Sequence, residues 1–508
     1  MRRCSIASFC AAALALLLAR SARADDDRDQ FIDRRGELRD FQHEYRVWFG
    51  DRLQHPIRAG VESLVWMGLG TAYYWLDPLA NSEDWDDPSV WEKVKGEALS
   101  FDNNLGSTNF ILHPLAGAAV YGTARINGLP VWTSFGYVAA SSLAWEYILE
   151  WREQASINDL FFTAIGGVSV GEFLSRLSEY ANSNPENRHW GNVLAAYTLG
   201  LPHRAHELVD GPRPRTSLPP DSLGFSSAYS HRFGATFAFG ELSNDVDQSA
   251  PVHSLGLSAE LAAIPGFLRP GRFDLGFSEA NFVEGALRLS YEASDLVEVD
   301  ARVSTVLFGY LTQSFGFRSG AAGLVGVGTG LRYFDSWKLD RRDRYSFVHL
   351  PRPELAFWAR KGKLSAQGRL SAGFDFAGIR PLALEAWRDA FGDYGLRSVI
   401  LRRSYTYAGC ASSRAQLSVA GPPFRAGAAA NAGWCRSIQG MDRFDRSAEP
   451  DVASTDSLIE LGAWASVHAE GPLELRVEIE QTRRHGSVGP IEAQRWDARA
   501  SASVAYVF

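Results

Sequence analysis

From Phe225 to the C-terminus, apolar residues recur at every second position. A chain that does this for long runs is committed to extended strands with one apolar and one polar face. In LELRVEIEQT, Leu473, Leu475, Val477 and Ile479 alternate with Glu474, Arg476, Glu478 and Glu480. VEGALRLSYE sets Val283, Leu287, Leu289 and Tyr291 against Glu284, Arg288, Ser290 and Glu292. VEVDARVST sets Val297, Val299, Ala301 and Val303 against Glu298, Asp300, Arg302 and Ser304, and LSAQGRLSAGFDF repeats the arrangement. About twelve such segments fit between Phe225 and Phe508.

A soluble sandwich also alternates. Three features favour a closed membrane barrel instead. The segments run to roughly 10–15 residues, well past the usual globular strand of about five or six. Their polar faces carry both charge signs in rows, as a barrel interior requires. The third feature is the ending, QRWDARASASVAYVF. It places Trp496, Ala498, Ala500, Ala502, Val504, Tyr506 and Phe508 on one face, and Arg495, Asp497, Arg499, Ser501 and Ser503 on the other. This ending resembles the terminal strand of bacterial outer-membrane proteins, which closes on Phe with an aromatic residue two positions earlier. The resemblance implies that Tyr506 and Phe508 carry the signal read by the barrel-assembly machinery.

Turn lengths fit the same reading. EGP (470–472), GPPF (421–424) and RKGK (360–363) are short. IQGMDRFDRSAEPDVAST, AGIRPLALEAWRDAFGDYGL and DSWKLDRRDR are long and fall alternately between them. ASD (293–295) departs, being short where a long loop is expected. Cys410 and Cys435 are the two cysteines that follow the leader. A two-residue Pro422-Pro423 turn pairs Gly421 with Phe424 and sets the cysteines directly opposite each other, so an inward-facing disulfide is expected in an oxidising envelope.

The N-terminal part has a different period. Arg2 and Arg3, the apolar run Ile6 to Leu18 and Ala22-Arg23-Ala24 form a signal peptide over residues 1–24. Removing its four Arg from 51 bases leaves 47 against 59 acids, a formal charge of −12. That disfavours nucleic acid as a partner. Residues 25–210 show apolar spacings of three and four, the mark of helices. Residues 211–224, GPRPRTSLPPDSLG, form a Pro-rich linker, and residues 225–508 the barrel. No later run offers a clean apolar stretch of membrane-helix length. The expected fold is α + β in separate regions: an N-terminal helical domain, then an antiparallel transmembrane β-barrel of about 12 strands.

The helical half carries the candidate chemical groups. Glu146 and Glu150 lie four apart, so on a regular helix they share a face, with Ser142 one turn earlier. Buried carboxylates need partners, and Arg125, Arg176 and His113 are available. One reading makes His113, Glu146, Glu150 and Asp159 an acid–base site acting on lipid or cell-wall esters. The same groups could ligate a divalent cation. Another makes Asp102, Asn109, Tyr121, Arg125, Ser142, Glu172 and Arg176 a buried network that fixes helix register, and this is the favoured one. Ser156-Ile157-Asn158-Asp159 reads as a capping box with Asp in place of Glu. Glu172 and Arg176 read as an ordinary i,i+4 pair. His203 and His206, three apart, lack further nearby ligands.

The order Asp102-Asn103, Asn109, His113-Pro114, Tyr121, Arg125-Ile126-Asn127-Gly128, Trp145-Glu146, Glu150, Ser156-Ile157-Asn158-Asp159, Gly166-Gly167, Gly171-Glu172 and Arg176 resembles the bacterial family called domain of unknown function 3943, over about residues 95–185. That family supplies no activity to carry over. No cofactor is implied and no metal is assigned. The expected role is a non-enzymatic envelope protein of the bacterial outer membrane. Its helices would plug the barrel lumen or bind a periplasmic or lipid partner, with outer-membrane lipids around the strands. An outer-membrane enzyme and a narrow gated channel are the alternatives. Removing Phe508 is expected to abolish heat-modifiable migration on gels; a truncated chain that still shifts on heating would contradict the barrel signal.

Overall fold

The computed structural model describes residues 45–46, 53–76, 85–183, 190–211, 220–221, 223–246, 248–339, 341–442, 451–468 and 472–507. The expected signal peptide, most of the Pro-rich segment and Phe508 lie outside these residues.

The period-two half forms thirteen strands: β1 Ser230–Asn244, β2 Ser249–Ala262, β3 Gly271–Phe277, β4 Phe282–Glu292, β5 Asp295–Phe315, β6 Ser319–Lys338, β7 Arg341–Lys361, β8 Leu364–Ile379, β9 Thr406–Gly421, β10 Phe424–Ser437, β11 Ser454–His468, β12 Leu473–Val488 and β13 Ile491–Val507. Every pairing among them is antiparallel. β13 pairs with β1, so the ring closes. β3 and β4 both pair with β5, at Gly309–Phe315 and at Asp295–Val306. They are one strand interrupted at residues 278–281, and the barrel has twelve strand positions. Counting β3 and β4 as one keeps the count even, and the ASD turn is a tight hairpin at the end opposite Val507. The expected long loop DSWKLDRRDR is instead strand and a tight turn, because β6 continues to Lys338 and β7 starts at Arg341. The other long connections, between Ile379 and Thr406 and between Ser437 and Ser454, join strand ends opposite Val507.

Inward and outward faces are fixed by charge pairs between strands that are not neighbours. Glu284 on β4 accepts from Arg414 on β9 at 2.5 Å, and Arg288 on β4 donates to Glu480 on β12 at 2.7 Å. Arg332 on β6 meets Glu460 on β11 at 2.5 Å, and Arg499 on β13 meets Glu298 on β5 at 2.7 Å. Only side chains that cross a lumen can make these contacts. Packed side chains also narrow both mouths. At the end bearing Val507, Phe267 packs on Trp358 and Phe282, while the Gln313 amide donates to the carbonyls of Gly266 and Arg269. At the other end, Leu384 and Trp387 of the helix Leu384–Phe391 pack with Val488 and Val452. The Pro422-Pro423 turn sets Gly421 opposite Phe424 and Cys410 opposite Cys435, which are joined by a disulfide with Cα atoms 4.1 Å apart.

The helical half contributes α1 Pro56–Leu76, α2 Val90–Lys95, α3 His113–Ile126, α4 Val131–Ala144, α5 Gly167–Asn182, α6 Trp190–Thr198 and α7 Leu201–Asp210. A short turn at Ile157–Asp159 and a wider π turn at Leu160–Gly166 run straight into α5. Together they make a 26-residue helical run, Ile157–Asn182, long and apolar enough by length and composition alone to cross a membrane. Its charges at Asp159, Glu172, Arg176 and Glu179 hide it from a search for clean apolar stretches. α3 and α5 touch backbone to backbone: a Cβ added at Gly167 would lie 2.7 Å from Gly117 Cα. Glycine is required at this crossing.

The expectation that these helices plug the lumen does not match their contacts. Phe173 on α5 lies over Gly285, which alternates with the inward Glu284 and Ala286 and so faces outward. Leu331 beside Gly166, Phe376 beside Phe161, and Gly378 beside Phe110 likewise alternate with inward Arg332 and Asp375. The lumen is already occupied by its own side chains, so the helical domain packs on the outer wall of β4–β9. Beyond that contact the wall is bare and apolar, with Phe239, Leu257, Leu417, Ile459, Ile479 and Val504 exposed. Substituting Gly285→Leu should push Phe173 off the wall and open residues 160–210 to limited proteolysis. The barrel should keep its heat-modifiable migration. Unchanged protection would refute this docking.

Candidate functional site

Two polar clusters lie in the helical half, and they differ in charge balance. The first sits where α3 crosses α5. Glu172 is ion-paired with Arg125 Nε at 2.9 Å on one carboxylate oxygen and with Arg176 Nε at 2.8 Å on the other. The Tyr121 hydroxyl donates to the same carboxylate at 2.6 Å. Arg176 also reaches Glu179 at 2.6 Å, and Arg125 reaches Glu279 at 2.9 Å. Glu279 belongs to the strand interruption between β3 and β4, so the barrel wall completes a network begun by the helices. Arg125, Glu172 and Arg176 are all buried. The i,i+4 pair of the sequence is thus part of a six-residue network.

The second cluster caps the helical half near the long loops. Leu99–Ser100 pairs in parallel with Ala155–Ser156 and holds Asp102 beside Asn158. The Asn158 amide donates to Asp102 at 3.1 Å and to Asp159 at 2.7 Å. Asn109 donates to Asp102 at 2.7 Å, and to the hydroxyls of Tyr405 at 3.0 Å and Tyr407 at 2.6 Å. His113 Nε2 lies 3.5 Å from Asp159 Oδ1, and its Nδ1 lies 3.4 Å from the Thr163 hydroxyl. Loop residues close over the top: Arg403 donates to the Asn103 carbonyl at 2.6 Å, and Phe101 N–H to the Met441 carbonyl at 2.6 Å.

Asp159 does not complete a capping box. The Ser156 side chain makes no cap bond, and the Ser156 N–H donates instead to the Glu146 carboxylate at 2.6 Å. A more distant acid takes the place the local pattern gave to Asp159. That leaves Asp159 facing His113 and Asp102. Glu146 and Glu150 are not on one regular helical face, because Trp145–Leu149 is a π turn and Glu150 ends it in a non-helical conformation. Neither glutamate contacts His113, Arg125 or Arg176 among the described residues. Lys93 packs between them and donates to the main-chain carbonyls of Glu146 at 2.6 Å and Glu150 at 2.9 Å. Ser142 is buried one turn before Glu146. Burial, with further contributions from Asp102 and Glu153, pushes the Glu146 carboxyl up to about 8, against the lowering effect of the Ser156 N–H. Burial and the neighbouring Glu146 and Glu153 raise Glu150 as well.

His203 and His206 do not converge: His203 meets Ser178 at 2.7 Å, and His206 meets Glu62 at 3.0 Å. Asn158, Lys93, Glu279, Tyr405 and Tyr407 are members that a reading of the sequence does not single out. The tyrosines lie almost three hundred positions from Asn109, so no local pattern could reveal them. Asn158 is visible only as part of Ser-Ile-Asn-Asp.

Residues 98–200 match the family described as "Domain of unknown function (DUF3943)". That span holds Asp102, His113, Glu146, Glu150, Asp159, Glu172 and Arg176. No curated protein matches the chain. Among solved structures, it is similar to a loop-deletion mutant of OmpT, an outer membrane protein of Vibrio cholerae. The identity is 7%, covering 55% of this chain and 100% of that one, with a TM-score of 0.21. The translocator domain of the autotransporter NalP from Neisseria meningitidis is 11% identical over 62% of this chain and 97% of that one, with a TM-score of 0.18. The beta domain of the Bordetella autotransporter BrkA is 12% identical over 54% and 98%, with a TM-score of 0.19.

Two outcomes follow. Glu172→Ala strands two buried guanidinium groups and should cost about 3–5 kcal/mol, read as earlier denaturant unfolding of the helical domain. The Glu146 effect has a definite sign. An unfolded chain ionises this carboxyl near its ordinary value of 4.5, while the folded chain keeps the proton to about 8. The folded state therefore binds more protons in that window, and stability falls as pH rises through it. Glu146→Gln keeps an acceptor for Ser156 and should flatten this slope; an unchanged slope would show that Glu146 is not its source.

Proposed function

We propose that this chain is an integral protein of the bacterial outer membrane whose barrel serves as an anchor and scaffold, not a conduit. Its helical domain works against the outer wall, facing lipid, in a structural or interaction role in the envelope. The observation that carries the reading is the set of ion pairs crossing the lumen between non-neighbouring strands. Long charged side chains of both signs held together across a narrow interior obstruct it, and charges in such an interior are stabilised when so paired. A selective pore would more naturally line its interior with one sign.

The outward surface supports membrane insertion. Strands that alternate apolar-out with charged-in, around a ring with no free edge, satisfy the backbone and present hydrocarbon to hydrocarbon. The helices continue that surface, with Leu64, Val65, Leu69, Leu115, Trp132 and Leu143 exposed. In water this would be a large unprotected apolar surface. Outer-membrane lipid is accordingly the partner of both halves, and the barrel-assembly machinery the partner during biogenesis. Planar bilayers containing the full-length protein should show no single-channel steps, and deleting residues 25–215 should leave them silent. Regular conductance from the intact chain would overturn the scaffold reading.

A further inference from the structure

We propose that Asp102, His113 and Asp159 bind a divalent transition-metal ion, of the class that accepts one imidazole and two carboxylates, such as Zn2+ or Mn2+. One ligand atom from each residue lies within 4.8 Å of the other two. A single ion at their centre would reach all three with small side-chain adjustments. The residues come from three different segments, the Phe101–Asn104 stretch, α3 and the Ile157–Asp159 turn. The Leu99–Ala155 pairing and the α3–α5 crossing hold these together.

Two further observations point to a cation. First, charge is unbalanced. Asp102, Glu146 and Asp159 are each no more than 3% exposed. Lys93 donates to the main-chain carbonyls of Glu146 and Glu150 and offsets part of the Glu146 charge, which leaves Asp102 and Asp159. No guanidinium contacts Asp102 or Asp159 among the described residues, whereas Glu172 in the other network is held by two. Buried carboxylates without a counter-charge are expensive, and a divalent ion supplies two charges at one point. Second, ligand-capable atoms are left over. His113 Nε2 is buried 3.5 Å from Asp159 Oδ1 yet makes no hydrogen bond. Asn109 is wholly buried, and its amide oxygen has no partner although its nitrogen is bonded to Asp102.

The donor set decides the class of ion. Imidazole beside carboxylate suits Zn2+, Mn2+ or Fe2+ over Ca2+ and Mg2+, which prefer all-oxygen shells. Thr163 at His113 Nδ1 fills the supporting position that orients a metal-bound imidazole. Three protein ligands would leave a further position on the ion. The competing arrangement is a proton shared between Asp102 and Asp159.

The test uses the full-length protein folded in detergent and stripped of metal. Titration with Zn2+, read by elemental analysis after desalting, should give about one equivalent per chain. His113→Gln and Asp159→Asn should each weaken binding at least tenfold, while His206→Gln leaves it unchanged. No bound Zn2+ or Mn2+ in the unsubstituted chain overturns the proposal in favour of the shared proton, as does equal affinity in folded variants. Should both variants lose heat-modifiable migration, modification of the unsubstituted chain by diethyl pyrocarbonate decides. Zn2+ should protect the His113 peptide at least tenfold and leave the His485 peptide alone; equal rates overturn the site. This inference does not rest on a closed lumen, so a conducting barrel would leave it standing.

Discussion

The ion pairs that cross the lumen determine which face of every strand points inward, and the rest of the molecule is arranged around that choice. Once Glu284, Arg288, Asp300, Arg332, Glu460, Glu480 and Arg499 meet inside, strict alternation sends Leu287, Leu331, Phe376 and Ile479 outward. A shift of one residue in any strand would drive charges into hydrocarbon and leave their partners unpaired, so register and charge pairing enforce each other. The inward Cys410–Cys435 bridge adds a covalent tie between β9 and β10 at the same depth as Asp375. With the interior filled this way, the helical half has nowhere to bind but the outside.

That docking is built from the smallest and the largest residues. Gly285 and Gly378 give up their side chains so that the ring tips of Phe173 and Phe110 can reach the wall. Gly117 and Gly167 do the same where α3 crosses α5. Glu279 then projects from the break between β3 and β4 into the Arg125–Glu172–Arg176 network. The break therefore has a use: an unbroken strand would keep its backbone in the ladder and could not deliver this carboxylate to the helices. The helical half holds two polar cores of unlike character. The one at the crossing is balanced and explains how the helices keep their register. The one at the cap is acidic, and its charge is what calls for a cation.

Much of this was legible in the chain. Alternation gives the strands, and strand length with the final Tyr506 and Phe508 favours closure. The short Pro422-Pro423 turn sets the register of the cysteines. These are local or periodic properties, set by neighbours two positions away. The helical half reads less completely, because helix spacing says which residues share a face but not what that face meets. Ser156 and Asp159 show the limit: the capping pattern is present, but Glu146, ten residues earlier, takes the bond. Glu146 and Glu150 show it again, since one extra residue in a π turn rotates their faces apart.

By itself, then, the sequence determined a two-part chain, with a twelve-position barrel of apolar-out, charged-in strands behind a helical domain rich in buried polar groups. Tertiary structure alone decided where those helices go and which polar residues meet. The physical reason is that lumen filling and cross-barrel pairing depend on strands far apart in the chain. The cap likewise joins Asp102, His113 and Asp159 to Tyr405 and Tyr407 across hundreds of residues. Periodicity can orient a side chain, but only closure of the ring and the crossing of helices can give it a partner.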